Sequence, residues 1–238
     1  MTATTESDGT RRIAIASSRS RAATAPSTAF TLIELLVTVA ISGLLAALSM
    51  ATIPSLLQRA DRADALAKIR TMGTAVLQYA PDHGGLLPPL FPGQVLEYED
   101  GRGGRIVTEC ATYLGIEKQP GKYLVQSLMP RAYARVRQPS DHAQLRVYVL
   151  NTALTNHGTI IHPFGRVTTP GQPPTGNTPL AALTGASAQW MMSTADQRQP
   201  NVATAPWKAN TPPEPPLGDM RAVLLFDGSA GLVKINEP

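Results

Sequence analysis

The chain has 238 residues, with Lys+Arg 21 against Asp+Glu 17, a formal net charge of +4, 43% hydrophobic residues, 16% charged residues and 5% aromatics. One cysteine, Cys110, excludes an intrachain disulfide framework and cysteine-based zinc sites, and so small a basic excess with so few aromatics argues against a nucleic-acid surface. Residues 1–29 are rich in Ala, Ser and Thr and carry Arg11, Arg12, Arg19 and Arg21 against Glu6 and Asp8. They read as a basic leader peptide. The run 35–57 has no charge in 23 positions. At about 1.5 Å per residue it is long enough to cross a hydrocarbon core of ~30 Å. The preceding arginines place the N-terminus in the cytoplasm and the bulk of the chain across the membrane. Glu34 stands at the start of this run, where a carboxylate is costly and usually signals a partner.

The segment Ala29-Phe30-Thr31-Leu32-Ile33-Glu34-Leu35 resembles the prepilin cleavage and methylation motif of type IV pilins and type II secretion pseudopilins. Six consecutive residues, Phe30 to Leu35, match, placed after a basic leader and before an apolar span. Ala29 stands where the family normally has Gly. The resemblance implies cleavage between Ala29 and Phe30 by a prepilin peptidase and N-methylation of Phe30. It also implies that Glu34 serves assembly, pairing with the Phe30 ammonium of a neighbouring subunit. The partners implied are other pilin or pseudopilin subunits, the peptidase and an inner-membrane assembly platform. No cofactor and no metal site is implied. Gly43 and Pro54 resemble the helix-weakening positions of pilin stems.

Beyond the span, Leu66, Ile69, Gly73, Val76 and Ala80 recur at steps of three and four, which makes an apolar stripe over 58–80. Arg59, Asp61, Arg62, Asp64, Lys68 and Arg70 are expected to form a solvated face with i,i+3 and i,i+4 pairs. The cluster Pro81-Asp82-His83-Gly84-Gly85 ends the helix, and Asp82 and His83 are assigned turn and capping roles there. The organisation expected is leader 1–29, membrane part 30–57, amphipathic part 58–80 and head 81–238. The fold class is α+β, a long N-terminal helix packed on a small antiparallel sheet.

Strand signals in the head fall at Arg105–Thr108, Lys122–Ser127, Arg146–Thr152, Gly158–Ile161 and Ala188–Ser193, with a short helix at 109–116. Asp227-Gly228 between Arg221–Phe226 and Ala230–Ile235 marks a hairpin. A strand, Asp-Gly and strand ending resembles a pilin-like subgroup that carries a His ten residues before the Asp; Leu217 holds that position here. Eleven of the 21 prolines lie between Pro163 and Pro216, so 168–179 and 199–218 are expected as surface excursions. Trp190 and Trp207 are expected to be packing residues, and Cys110 a buried apolar one. The histidines His83, His142, His157 and His162 lack metal spacing. Glu97, Glu99 and Asp100 suit a solvated acidic turn better than a calcium loop. No nucleophile elbow, phosphate loop or dinucleotide fingerprint occurs, so no enzymatic activity is expected. The alternative is a secreted or periplasmic protein with an ordinary signal peptide cut after Ser49-Met50-Ala51, or an uncleaved signal anchor.

Overall fold

The computed structural model describes residues 31–137, 139–156, 158–183 and 188–235. The leader, Ala29, Phe30 and His157 lie outside the described residues. The first element is a 51-residue helix, α1 (Leu32–Asp82). The chain divides into two units, Met1–Ser49 and Met50–Pro238.

In the second unit, a five-stranded antiparallel sheet has the order β1-β4-β7-β8-β9. Its strands are β1 (Gly93–Val95), β4 (Arg146–Leu150), β7 (Trp190–Thr194), β8 (Met220–Leu225) and β9 (Ala230–Lys234). Two small ribbons accompany it: β2 (Glu97–Glu99) with β3 (Lys122–Leu124), and β5 (Leu154–Asn156) with β6 (Thr159–Ile161). Tyr98 faces Tyr123 across the first ribbon, with ring centroids 5.1 Å apart. Such cross-strand aromatic pairs stabilise short ladders.

Residues of α1 and of the sheet share one apolar core. Ala65, Ile69, Met72, Val76 and Ala80 are buried with Tyr148, Met192, Ala222 and Leu224. Gly73 faces Leu224, whose methyl group occupies the space a Cβ would need. The buried stripe is therefore shifted from the expected one: Ala65 and Met72 are central, and Leu66 is only partly buried at the edge. Small Ala65 and flexible Met72 fit the close helix–sheet contact that Gly73 permits.

The expected solvated face is corrected more strongly. Arg135 Nη1 and Nη2 donate to the two oxygens of buried Asp61 at 2.8 Å each. Arg62 pairs with Asp219 at 2.6 Å and donates from Nε to the Leu217 carbonyl at 3.2 Å. Asp64 accepts the Arg131 N–H at 2.9 Å, Lys68 donates to the Ser127 carbonyl at 2.5 Å, and Arg70 to the Ala230 carbonyl at 3.1 Å. These charges are spent on the head rather than on neighbours one turn away. The reason is geometric: they flank the buried stripe, where loops of the head come within reach of long side chains.

The helix ends as its breakers require. Gly85 N–H reaches back to the Ala80 carbonyl at 2.8 Å, a Schellman-type bond, with Gly84 at φ +63°. His83 stacks on Tyr79 at 3.5 Å between centroids and its Nδ1 lies 2.8 Å from the Tyr79 carbonyl, so that nitrogen carries the proton and donates. Asp82 accepts the Tyr113 hydroxyl at 2.6 Å.

Several other expectations need correction. Arg105–Thr108 is not a strand: Ile106–Glu109 is a helical turn, α2. Gln94 Oε1 accepts the Ile106 N–H at 2.7 Å, which caps that turn from outside and buries Ile106 and Val107 side by side. Turns carry the chain from α2 to Gly115. The strand at Lys122 stops at Leu124, and a 3₁₀ turn follows at Gln126–Leu128. Glu97 and Glu99 belong to β2 rather than to a solvated turn, with Arg105 at 2.8 Å and 3.0 Å from them respectively. The segment 199–218 is more than a surface excursion. It starts with a single helical turn, Pro200–Ala203, with Pro at its first position, and it buries Val202, Thr211 and Leu217.

Trp190 and Trp207 pack against Val149, Ala195 and Val202, a second apolar cluster. The hairpin β8–β9 turns through Phe226-Asp227-Gly228. Leu225 N–H donates to the Ser229 carbonyl at 2.8 Å, Asp227 accepts the Ser229 N–H at 2.8 Å, and Gly228 takes φ +84°. Three loop residues with a left-handed glycine replace the tighter two-residue turn.

Candidate functional site

Thr31 precedes α1, and Glu34 lies in its first turn. The Thr31 hydroxyl accepts the Glu34 N–H at 3.3 Å. Glu34 Oε2 accepts the Thr31 N–H and the Thr31 hydroxyl, both at 2.9 Å. This is a reciprocal capping box, which satisfies donors that a helix start otherwise leaves open. Thr31-Leu32-Ile33-Glu34 is a legible capping signature, hidden behind the more conspicuous fact of a carboxylate beside an apolar run.

The cap uses one oxygen of Glu34. Oε1 accepts no hydrogen bond among the described residues, and the side chain is exposed. An ionised carboxylate with one free oxygen can take a cation or a donor from another molecule. Ala29 and Phe30, the expected cleavage and methylation positions, lie outside the described residues, so Glu34 is the expected site residue with described geometry.

Apart from Thr31 and Thr38, the described helix positions near that carboxylate are apolar and uncovered. Leu32, Ile33, Leu35, Leu36 and Val37 are all exposed, Leu32 at 81%. Successive positions step about 100° around a helix, so exposure without interruption means apolar surface on every side. Soluble helices hide one stripe; the first part of α1, 32–50, hides none. The hydroxyls within the run bond to the helix itself: Thr38 to the Leu35 carbonyl at 2.9 Å, Ser49 to Leu45 at 2.8 Å, and Ser55 to Thr52 at 2.8 Å. Such internal bonds remove the main cost of a hydroxyl in hydrocarbon. A Cβ added at Gly43 meets nothing within 4 Å, so no packing contact among the described residues demands that glycine. By length and composition α1 is able to cross a membrane, and its most apolar window is not buried.

Among the described residues no group of three or more His, Cys, Asp or Glu could hold a metal ion. His142 Nε2 lies 3.1 Å from the Arg137 carbonyl, and His162 Nδ1 lies 2.9 Å from the Thr152 carbonyl. Leu217, where the resembling subgroup has His, is buried in the core.

Residues 26–50 match the family model described as the prokaryotic N-terminal methylation motif. This is the prepilin-type motif of type IV pilins and pseudopilins, and the chain carries it. The match takes in Ala29, Phe30 and Glu34. No curated protein and no solved structure matches the chain. A long helix, apolar at its start and followed by a five-stranded antiparallel sheet, is an α+β, pilin-like architecture. The motif belongs to structural rather than enzymatic proteins, and with the apolar helix it points to membrane anchoring.

Proposed function

We propose that this bearer of the prepilin-type motif is the precursor of a pilin-like filament subunit. A prepilin peptidase removes residues 1–29, the new N-terminus of Phe30 is methylated, and the stem helices of many copies pack into a type IV pilus or a secretion pseudopilus. Before assembly the helix anchors the subunit in the inner membrane, with the head outside the cytoplasm. The observation that carries this reading is the exposure of apolar side chains on all sides of the first part of α1, within the matched methylation motif. Lipid covers such a surface first, and neighbouring stems cover it in a filament.

The open oxygen of Glu34 fits the role. Removal of the leader creates an ammonium on Phe30, four residues from Glu34. Thr31 occupies Oε2 of its own chain's carboxylate and leaves Oε1 for the ammonium of a neighbour. Two opposite charges brought together in low dielectric attract strongly, and each is stranded without the other. That sets the register of one stem on the next. Loss of the leader also removes four arginines and two acids, which lowers the net charge from +4 to 17 − 15 = +2.

Mass spectrometry of the mature protein from cells with an active prepilin peptidase tests the reading. The expected N-terminal residue is N-methylated Phe30. A terminus at Thr52 would assign the chain to the signal-peptide class instead, and an intact Met1 would make it an uncleaved signal anchor.

A further inference from the structure

A second feature lies in the head, away from the stem chemistry. A cavity of about 400 Å³ is lined by Arg102, Arg105 and Arg146 together with Phe91, Val167 and Trp207. Its two aromatic walls are seated on glycines. A Cβ on Gly93 would come within 2.8 Å of the Trp207 ring, and a Cβ on Gly104 would collide with Phe91. Both rings lie against bare backbone, which keeps the space between them and the arginines open.

The cations are unevenly matched. Arg105 pairs with Glu97 at 2.8 Å and Glu99 at 3.0 Å, while Arg102 reaches Glu99 at 3.4 Å. Both carboxylates line a neighbouring cavity that shares the three arginines; neither lines this one. Arg146 has no ion-pair partner among the described residues. It donates to the Gly93 carbonyl and lies 5.7 Å over the Trp207 ring, and its Nε is buried with no hydrogen bond. Burial first, then repulsion from Arg105 and Arg102, lowers its pKa to about 10. A half-buried guanidinium without a counter-charge is costly, and an anion in the cavity would offset that cost.

We propose that this cavity binds a small carboxylate with a flat apolar body. The carboxylate would meet the Arg146 fork, with Arg102 and Arg105 adding positive potential. The flat body would lie between the Trp207 and Phe91 rings. A polyhydroxylated acid fits less well, because Phe91, Val167 and Trp207 give hydroxyls almost nothing to bond. A bare inorganic anion would leave the rings uncovered. The same chemistry is offered by a free aromatic acid and by the C-terminal residue of a peptide.

Calorimetry and Trp207 fluorescence on the full chain in detergent test the site with four probes: benzoate, N-acetylphenylalanine, glucuronate and inorganic phosphate. Benzoate or N-acetylphenylalanine is expected to bind saturably, with a Kd on the order of a millimolar or tighter. Tighter binding of benzoate assigns a free acid, and tighter binding of N-acetylphenylalanine a peptide terminus. Arg146→Met should weaken it about tenfold or more. Arg102→Gln, at a side chain 49% exposed and therefore harmless to folding, should weaken it less. No saturable binding of either aromatic acid overturns the proposal. So does binding that survives Arg146→Met in folded protein, or glucuronate or phosphate binding as tightly as benzoate. If Arg146→Met does not fold, undiminished binding to Arg102→Gln overturns it.

Discussion

Glu34→Ala is expected to insert in the membrane at the normal level and to be absent from filaments. The apolar run that drives insertion is untouched, because Glu34 precedes its 23 uncharged positions at 35–57. What disappears is the only acidic side chain of the first turn and the only charged one between Ala29 and Arg59. Alanine removes two roles at once, the cap on Thr31 and the acceptor for a neighbour's ammonium. Glu34→Gln separates them. Its amide oxygen still accepts from Thr31, so the helix start survives, but the charge is gone. Both variants should therefore fall to background in sheared filament fractions, with unchanged amounts in membranes. Normal incorporation of Glu34→Gln would leave the residue a cap and nothing more. Thr31→Ala supplies the converse: it weakens the cap, keeps the charge and should still assemble.

The largest effect in the head is expected at Asp196. Its side chain is 1% exposed and takes Arg221 Nε at 2.6 Å and Nη2 at 2.8 Å. It also accepts the Arg198 N–H at 2.9 Å. The Arg221 side chain is only 13% exposed, so removal of the carboxylate strands a guanidinium against β8. Breaking one side of such a pair costs about 3–5 kcal/mol. For a unit of this size Asp196→Ala should lower Tm by about 10 °C, read by circular dichroism of the full chain in detergent. Arg221→Met in the same chain should recover most of the loss, because it removes the stranded charge rather than restoring the bond. A single variant that melts within about 2 °C of the parent would show that water reaches the pair.

The parts of the fold that were legible in the sequence rest on local patterns. The 35–57 run, the stop at Pro81–Gly85 and the hairpin at Asp227-Gly228 each need only neighbouring residues to act. β4 and β6 announced themselves through β-branched residues. β1 and β2 did not, because Gly93–Val95 and Glu97–Glu99 hold one β-branched residue between them, and β1 begins after Phe91-Pro92. Ile106 and Val107 look like a strand, but the cap from Gln94 comes from 12 residues away. The ties of Asp61, Arg62 and Asp64 to the head span 67 to 157 residues, so no periodicity shows which helix charges are spent there. The candidate site was half legible. The motif and the isolated Glu34 stood out, while the division of labour between its two oxygens needed the Thr31 geometry. The arginine cavity was not legible at all, since Phe91, Arg146 and Trp207 meet only in the folded head.

The burial of Cys110 makes it a clock. It is fully buried, and desolvation first, then the charge of Glu109, push its thiol well above the ordinary range. A thiol reagent therefore reaches it only in molecules whose head has opened. Because it is the sole cysteine, every labelled chain counts one opening event. Labelling free subunits and assembled ones side by side should give two rates, and their ratio measures how far assembly holds the head shut.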